Sequence, residues 1–292
     1  MSAGAPRPAR ARGGPGRSRR PALSFLIHLF LIGFTLATLY PIVQIFTVSL
    51  RPADRLYSTS LAIIPKGATL EAFRVMLFHK PFLLWLRNSF LVSAVVTLFG
   101  VALASTSAYA FSRYRFPGWG LGLYSFLLTQ MFPATMLMLP LYVLMKALHL
   151  LDTFAGLAIA YTATALPFCV WTLRGYYDTI PVELEQAALI DGCGPWSAFT
   201  RITLPLASPA LAITALFSFM TAWSEFLVAR IIVNRQTLYT LPLGLESLAG
   251  VFQTEWANYA AGSLLVCIPV MILFVALNRW LVSGLSLGGV KG

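Results

Sequence analysis

Of the ten acids in this 292-residue chain, Asp178, Glu183, Glu185 and Asp191 crowd into one stretch, and Glu225 stands alone in an apolar run. Clustered acids can ligate metal, move protons or meet a basic partner, and the other reactive residues narrow that choice. Intramembrane metal hydrolysis wants His-Glu-x-x-His, which sets two imidazoles and a base on one helix face. His28, His79 and His149 are far apart and none has that setting. Cys169, Cys193 and Cys267 are an odd number without zinc spacing, and read as thiols behaving as small hydrophobes. Nucleotide hydrolysis needs a Gly-rich loop leading into Lys-Ser or Lys-Thr. Lys66, Lys80, Lys146 and Lys291 are the only lysines, and none lies in such a loop. The expectation is a chain without catalysis, metal or cofactor of its own.

The elements around these residues belong to a membrane. Hydrophobic residues make up 58% of the chain and charged ones 11%, against about 25% charged in soluble domains. One aqueous core cannot hide that much apolar surface, whereas lipid removes the conflict. A net charge of +11 would suit nucleic acid, but six of the arginines sit in the first twenty residues, beside an apolar run. Such a tail reads as a topology signal or a contact with anionic lipid. Six apolar runs reach the ~20 residues a span needs: 23–50, 89–111, 121–145, 154–173, 209–228 and 259–282. The division expected is a disordered basic tail over 1–21, a six-helix domain over 22–283 and a C-terminal tail over 284–292. The positive-inside rule places both termini in the cytoplasm. Pro41, Pro133, Pro140, Pro167 and Pro269 fall inside spans, where they are either ordinary membrane-helix prolines or signs of broken helices around a pathway.

The connection from Arg174 to Ser208 has a grammar of its own. Pro181 suits a helix start, with Glu183 and Glu185 near the positive end of the dipole. Ala187, Ala188 and Leu189 continue the helix, and Asp191-Gly192 makes a turn. Pro195 opens a second helix, whose Trp196, Phe199 and Ile202 fall on one face, and Leu204-Pro205 ends it. Such a knob either docks in a partner's groove or lies on lipid headgroups.

At this point the sequence resembles the permease subunits of ABC importers. Their "EAA" loop reads Glu-Ala-Ala, three residues, Gly, nine residues, Ile-x-Leu-Pro. Ala187-Ala188, Gly192, Ile202, Leu204 and Pro205 meet that spacing, while Gln186 replaces the glutamate. Asn88-Ser89, Ser107–Arg113 with Phe116-Pro117-Gly118, Trp223–Phe226 and Gly284–Gly292 are similar to sugar-importer permeases. Val170–Tyr176 and Arg279–Val282 resemble the smaller permease of maltose/maltodextrin importers.

The resemblance implies an all-α integral membrane protein with six transmembrane helices, in the type I ABC importer permease fold of a bacterial or archaeal inner membrane. It implies a second permease subunit forming a heterodimer, an ABC ATPase dimer that carries ATP and Mg, an extracellular sugar-binding protein and membrane lipid as partners, and no nucleic acid. The cargo implied is maltose, maltodextrin or a related oligosaccharide such as trehalose. The loop, 180–208, would carry ATPase motion to the fourth and fifth spans through Glu183, Glu185, Gln186, Ala187, Ala188, Asp191, Gly192, Ile202, Leu204 and Pro205. With Gln186 neutral, an ATPase contact made by that charge would move to Glu183 or Glu185. Glu225, Trp223 and Gln130 are candidates for the substrate path, Glu225 serving alternatively to pin two helices. Phe252 and Trp256, in a long outer loop, would meet the binding protein or hold the loop at the membrane interface. The C-terminal tail would touch the ATPases or fray. Two rivals stand beside this reading: a secondary transporter, for which one intramembrane acid is thin support, and a purely structural subunit, which leaves the loop unexplained.

Overall fold

The computed structural model describes residues 21–52, 62–249 and 254–288, and the described secondary structure is helical apart from one isolated bridge between Ala249 and Thr254. The basic tail over residues 1–20, Phe252 and residues 289–292 lie outside the described residues. The chain divides into two units, 1–45 and 46–292.

Helix α1 (Pro21–Ser49) runs across that division. It is apolar on every side, and an 18-residue stretch within Leu23–Ser49 has a mean hydropathy of 2.0. Phe25, Phe30, Phe34 and Leu36 are exposed, which water would punish and hydrocarbon does not.

In the second unit, α2 (Glu71–Phe78) leads into α3 (Phe82–Arg113), α4 (Trp119–Met131), α5 (Ala134–Ala147) and α6 (Phe154–Tyr177). Then come α7 (Val182–Ile190), α8 (Pro195–Ala198), a π turn (Phe199–Thr203), α9 (Leu204–Leu206) and α10 (Ser208–Ser224). The remainder is α11 (Leu227–Ile232), a 3-10 turn (Gln236–Leu238), α12 (Leu241–Glu246) and α13 (Trp256–Gly288). Among the described residues four helices are long and apolar enough to cross a membrane, and six spans result if two bent pairs each count as one.

Of the two readings of the span prolines, a broken helix holds at Pro133. The expected third span is broken between α4 and α5 by 108°. Pro133 is the cause: it forces Phe132 into extended backbone (φ −78°, ψ 129°) and is itself extended at the start of α5. Pro133 thus lies outside any helix, whereas Pro41, Pro140, Pro167 and Pro269 lie inside theirs. The expected fifth span stops at Ser224, because Glu225 is extended (φ −71°, ψ 123°). The last span begins earlier than expected, at Trp256, and its helix continues to Gly288. The segment assigned to a C-terminal tail from 284 is therefore helical as far as it is described.

The core follows α3, which packs along α6 and α10. Small residues on α3, Gly100, Ala104 and Ala108, let the neighbours approach, as in membrane bundles generally. Toward the C-terminal end of α3, Ala104 and Ala108 meet Cys169, Val170, Leu173, Tyr177, Phe199 and Ala210. Toward its other end, Phe82 and Trp85 meet Met76, Phe219, Trp223, Leu241 and Leu245. The indole of Trp85 lies so close to Gly244 that an added Cβ would overlap its ring.

Candidate coupling site

The acidic connection folds into the expected two-helix knob. Pro181, extended at φ −55° and ψ 127°, stands just before α7 rather than in its first turn, and Glu183 and Glu185 follow in that turn. The end of α7 is closed by two backbone bonds, Gly192 N–H to Leu189 O (3.2 Å) and Cys193 N–H to Ala188 O (2.9 Å). Gly192 takes φ +87°, the left-handed conformation this closure requires. Pro195 is the first residue of α8. The chain then widens into a π turn, in which Leu204 N–H reaches back to Phe199 O, before Ala207 breaks it from α10 at 79°.

Glu185 faces inward. Its Oε1 accepts from Arg113 Nε (2.8 Å) and Thr203 Oγ1 (2.7 Å), and its Oε2 from the Tyr109 hydroxyl (2.9 Å). The Glu185 side chain is 7% exposed and that of Arg113 10%. Arg113 also donates to Tyr177 O (3.0 Å) and Ile180 O (3.1 Å), the carbonyls where α6 ends and the knob begins. Next to it, Ser112 Oγ donates to Asp178 Oδ1 (2.6 Å), and Arg174 approaches Asp178 Oδ2 at 3.4 Å. A buried carboxylate with this many charge-assisted bonds is fully occupied by its own chain. Within this chain Glu185 is turned inward, whereas Glu183 and Asp191 are exposed. The knob is joined to α3 as well as to the fourth and fifth spans.

The rest of the motif divides between surface and interior. Glu183, Gln186, Ala187, Asp191, Gly192 and Pro205 are exposed, Ile202 and Leu204 half-buried, and Ala188 buried. Of the apolar face expected on the second helix, Phe199 is buried, but Trp196 is 67% exposed and Ile190 of α7 87%. Leu184 and Leu189 of α7 are exposed as well. Sequence reasoning missed Arg113, Tyr109 and Thr203 as parts of the knob. The available signal was an arginine closing an apolar run, which needs a partner if it is not to reach water.

The opposite end of α3 is held as firmly. Asn88 Nδ2 donates to Thr237 O and Tyr239 O (both 3.0 Å), and Ser89 Oγ accepts from Leu241 N–H (2.7 Å). Nearby, Lys80 Nζ pairs with Glu255 Oε1 (2.7 Å) and Asn258 Nδ2 donates to Oε2 (2.7 Å). Partial burial raises the Glu255 carboxyl's affinity for its proton, but the Lys80 and Asn258 bonds outweigh that and hold it below its usual range. Asp152, at φ 54°, accepts at Oδ1 from the N–H groups of Asn234 (2.7 Å) and Arg235 (3.0 Å). The Arg235 and Asn234 N–H groups keep its carboxyl below the ordinary value.

The substrate-path candidates are not brought together. Glu225 does not lie within a span helix: its Oε1 accepts from Val228 N–H (3.0 Å) and caps α11. Trp223 is buried, stacks on Phe219 (5.3 Å), donates to Val266 O (3.3 Å), and lines a cavity of ≈ 400 Å³ with Ser224, Glu246, Tyr259 and Ser263. Gln130 is exposed beside the break between α4 and α5, donates to Thr164 O (3.3 Å) and lines a separate groove of ≈ 330 Å³. Trp256 opens α13 and is exposed, and Phe252 is outside the described residues.

Apolar helices of membrane-spanning length carrying a hydrogen-bonded two-helix knob define a multi-pass membrane protein. Comparison with known proteins gives the family. The model of binding-protein-dependent transport system inner membrane components matches residues 13–286, and the chain belongs to that family. It is 35% identical over 287 residues to the maltose/maltodextrin transport system permease protein MalG of Escherichia coli (strain K12), covering 92% of this chain and 96% of that protein. Against the protein of the same description from Salmonella typhimurium (strain LT2) the identity is 36% over 286 residues, covering 91% and 95%. A solved chain from a bacterial ABC transporter involved in the import of the acidic polysaccharide alginate superposes with a TM-score of 0.78 at 23% identity, covering 92% of this chain and all of that one. That likeness shows the fold, that of an ABC importer permease.

Proposed function

We propose that this chain is the smaller permease subunit of an ATP-driven importer for maltodextrins or a related oligosaccharide such as trehalose. The observation that carries the reading is the identity to a maltose/maltodextrin permease along nearly the whole of both chains. The knob supports it, because a permease without an ATPase site needs a rigid element through which an ATPase can act. The partners are a second permease subunit, an ATPase dimer holding ATP and Mg, and an extracellular sugar-binding protein. The exposed Glu183, Gln186, Ala187 and Asp191, with Leu189, Ile190 and Trp196, dock into the ATPase, while Glu185 keeps the knob in shape. An amphipathic surface of this kind suits a groove.

Both termini are cytoplasmic in this reading, because the basic tail obeys the positive-inside rule and six spans return the chain to the same side. The knob and Arg113 then face the cytoplasm, and the segments around Asp152, Asn234–Glu246 and Glu255 face outward, toward the binding protein. Trp223 and its cavity belong to the path of the sugar.

The test is uptake of labelled maltodextrin into vesicles holding this chain, its partner permease and the ATPase, with the binding protein added. ATP-dependent uptake only in the complete set, competed by maltose or trehalose and not by monosaccharides, is the expected result. Uptake without ATP by this chain alone would overturn the permease-subunit reading, and ATP-dependent uptake of another sugar would overturn the cargo.

A further inference from the structure

Two sequence motifs, Asn88-Ser89 and Ser107–Arg113, have no role in the docking surface, yet they sit at the two ends of one unbroken helix. Helix α3 is 32 residues long, about 48 Å at 1.5 Å per residue. It has no internal proline. Its C-terminal end is bonded to the knob through Tyr109, Ser112 and Arg113, four of those bonds ending on Glu185, Asp178, Tyr177 and Ile180. Its N-terminal end is bonded through Asn88 and Ser89 to three backbone groups of the segment Thr237–Leu241, and Trp85 packs on Gly244 in the helix that follows. Asn88, Ser89 and Trp85 are all buried.

We infer that α3 is a strut that ties the position of the knob to that of the segment Asn234–Glu246, with Arg113–Glu185 as one joint and Asn88–Ser89 as the other. Neither joint can slip quietly. Displacing the knob from α3 strands the buried Glu185 carboxylate and its nearly buried guanidinium partner, and displacing α3 from the other segment strands the buried Asn88 amide, each a group that is costly to leave unpaired. The whole helix therefore follows the knob as a body, and the far segment follows the helix. The fourth and fifth spans leave the knob at breaks, Asp178–Pro181 and Ala207, whereas α3 meets it through side chains that lock on both sides of the first of these. Arg113, Tyr109, Asn88 and Ser89 are positioning residues: they touch neither sugar nor nucleotide.

The inference rests on docking of the ATPase to the knob, and its test uses no sugar, so that failure of the cargo assignment does not affect it. The reconstituted permease–ATPase complex is exposed to MgATP and vanadate, and backbone hydrogen exchange is followed in Val182–Leu206 and in Asn234–Glu246. In the wild type both segments respond to nucleotide. In Arg113→Gln and in the milder Tyr109→Phe, the knob still gains protection against the ATPase, while the response at Asn234–Glu246 falls, on the order of tenfold for Arg113→Gln. Ser89→Ala gives the same pattern from the other end, and combining it with Arg113→Gln adds little, since both cut one path. A far-segment response that is absent in the wild type, that survives Arg113→Gln, or that multiplies rather than saturates in the double variant overturns the strut. Loss of knob protection itself in both Arg113→Gln and Tyr109→Phe also overturns it, by making the pair a builder of the docking surface and nothing more.

Discussion

Gly192 shows how much one backbone angle decides. Nothing lies within 4 Å of where its Cβ would be, so a side chain meets no obstacle; the only penalty is φ +87°. For an L-residue that conformation costs about 1–2 kcal/mol. Gly192→Ala should loosen the end of α7 by that amount, read as faster exchange of the Gly192 and Cys193 amides, with insertion into the membrane unchanged. Gly192→Pro removes the N–H that bonds Leu189 O as well, and uptake should be abolished. Asp152 carries a different prediction, set by charge. Its carboxyl is held below the ordinary range by the Arg235 and Asn234 N–H groups, so its contribution is complete above the unfolded value of about 3.9 and is lost as pH falls through the folded one. The wild type should therefore melt above Asp152→Asn from about pH 7 down to about pH 5, and the margin should close below about pH 4. Thermal unfolding of the solubilised complex across that range checks the sign.

At the scale of elements, glycines separate two uses of smallness. Gly244→Ala drives a methyl into the ring of buried Trp85 and should destabilise by about 1–3 kcal/mol, as overpacking does. Gly175, on α6, has open space around it, and Gly175→Ala should be neutral or gain up to about 1 kcal/mol from helix propensity. Melting temperatures of the two variants in the same detergent discriminate. The elements also show what could be read from the chain alone. Spans were legible because ~20 apolar residues in a row have few alternatives, and the knob because proline, glycine and acids each mark a helix end. The breaks were harder. Pro133 and Pro140 stand in similar apolar surroundings, yet Pro133 ends a helix and Pro140 does not; local sequence does not say which freed carbonyls the neighbours can satisfy. Glu225 looked intramembrane because its neighbours are apolar, and only the extended backbone at Glu225 makes it a cap. Helix α2 was missed because its eight residues are shorter than the pattern that periodicity needs.

At the scale of the molecule, the same logic separates what can be seen in one chain from what requires partners. The inward role of Glu185 was invisible because its contacts, Tyr109 and Arg113, are more than seventy residues away in sequence. Ile190 and Trp196 are exposed in the single chain, and the proposed docking to the ATPase would cover them. Truncating both, Ile190→Ala with Trp196→Ala, should leave the fold intact, because neither is buried here. The ATPase should then be lost on purification, and co-elution of the complex in size-exclusion chromatography is the measurement.

The bond from Thr203 to Glu185 gives the knob a property of gauge. Thr203 ends the π turn, and it meets the carboxylate only at the rotation that turn delivers. One residue added within the helical stretch from Pro195 to Thr203 would rotate the hydroxyl by about 100° and aim it elsewhere. Extra length in this interval cannot be taken up as slack. The stretch from Pro195 to Thr203 is a fixed length, and its residues are replaceable in ways that its length is not.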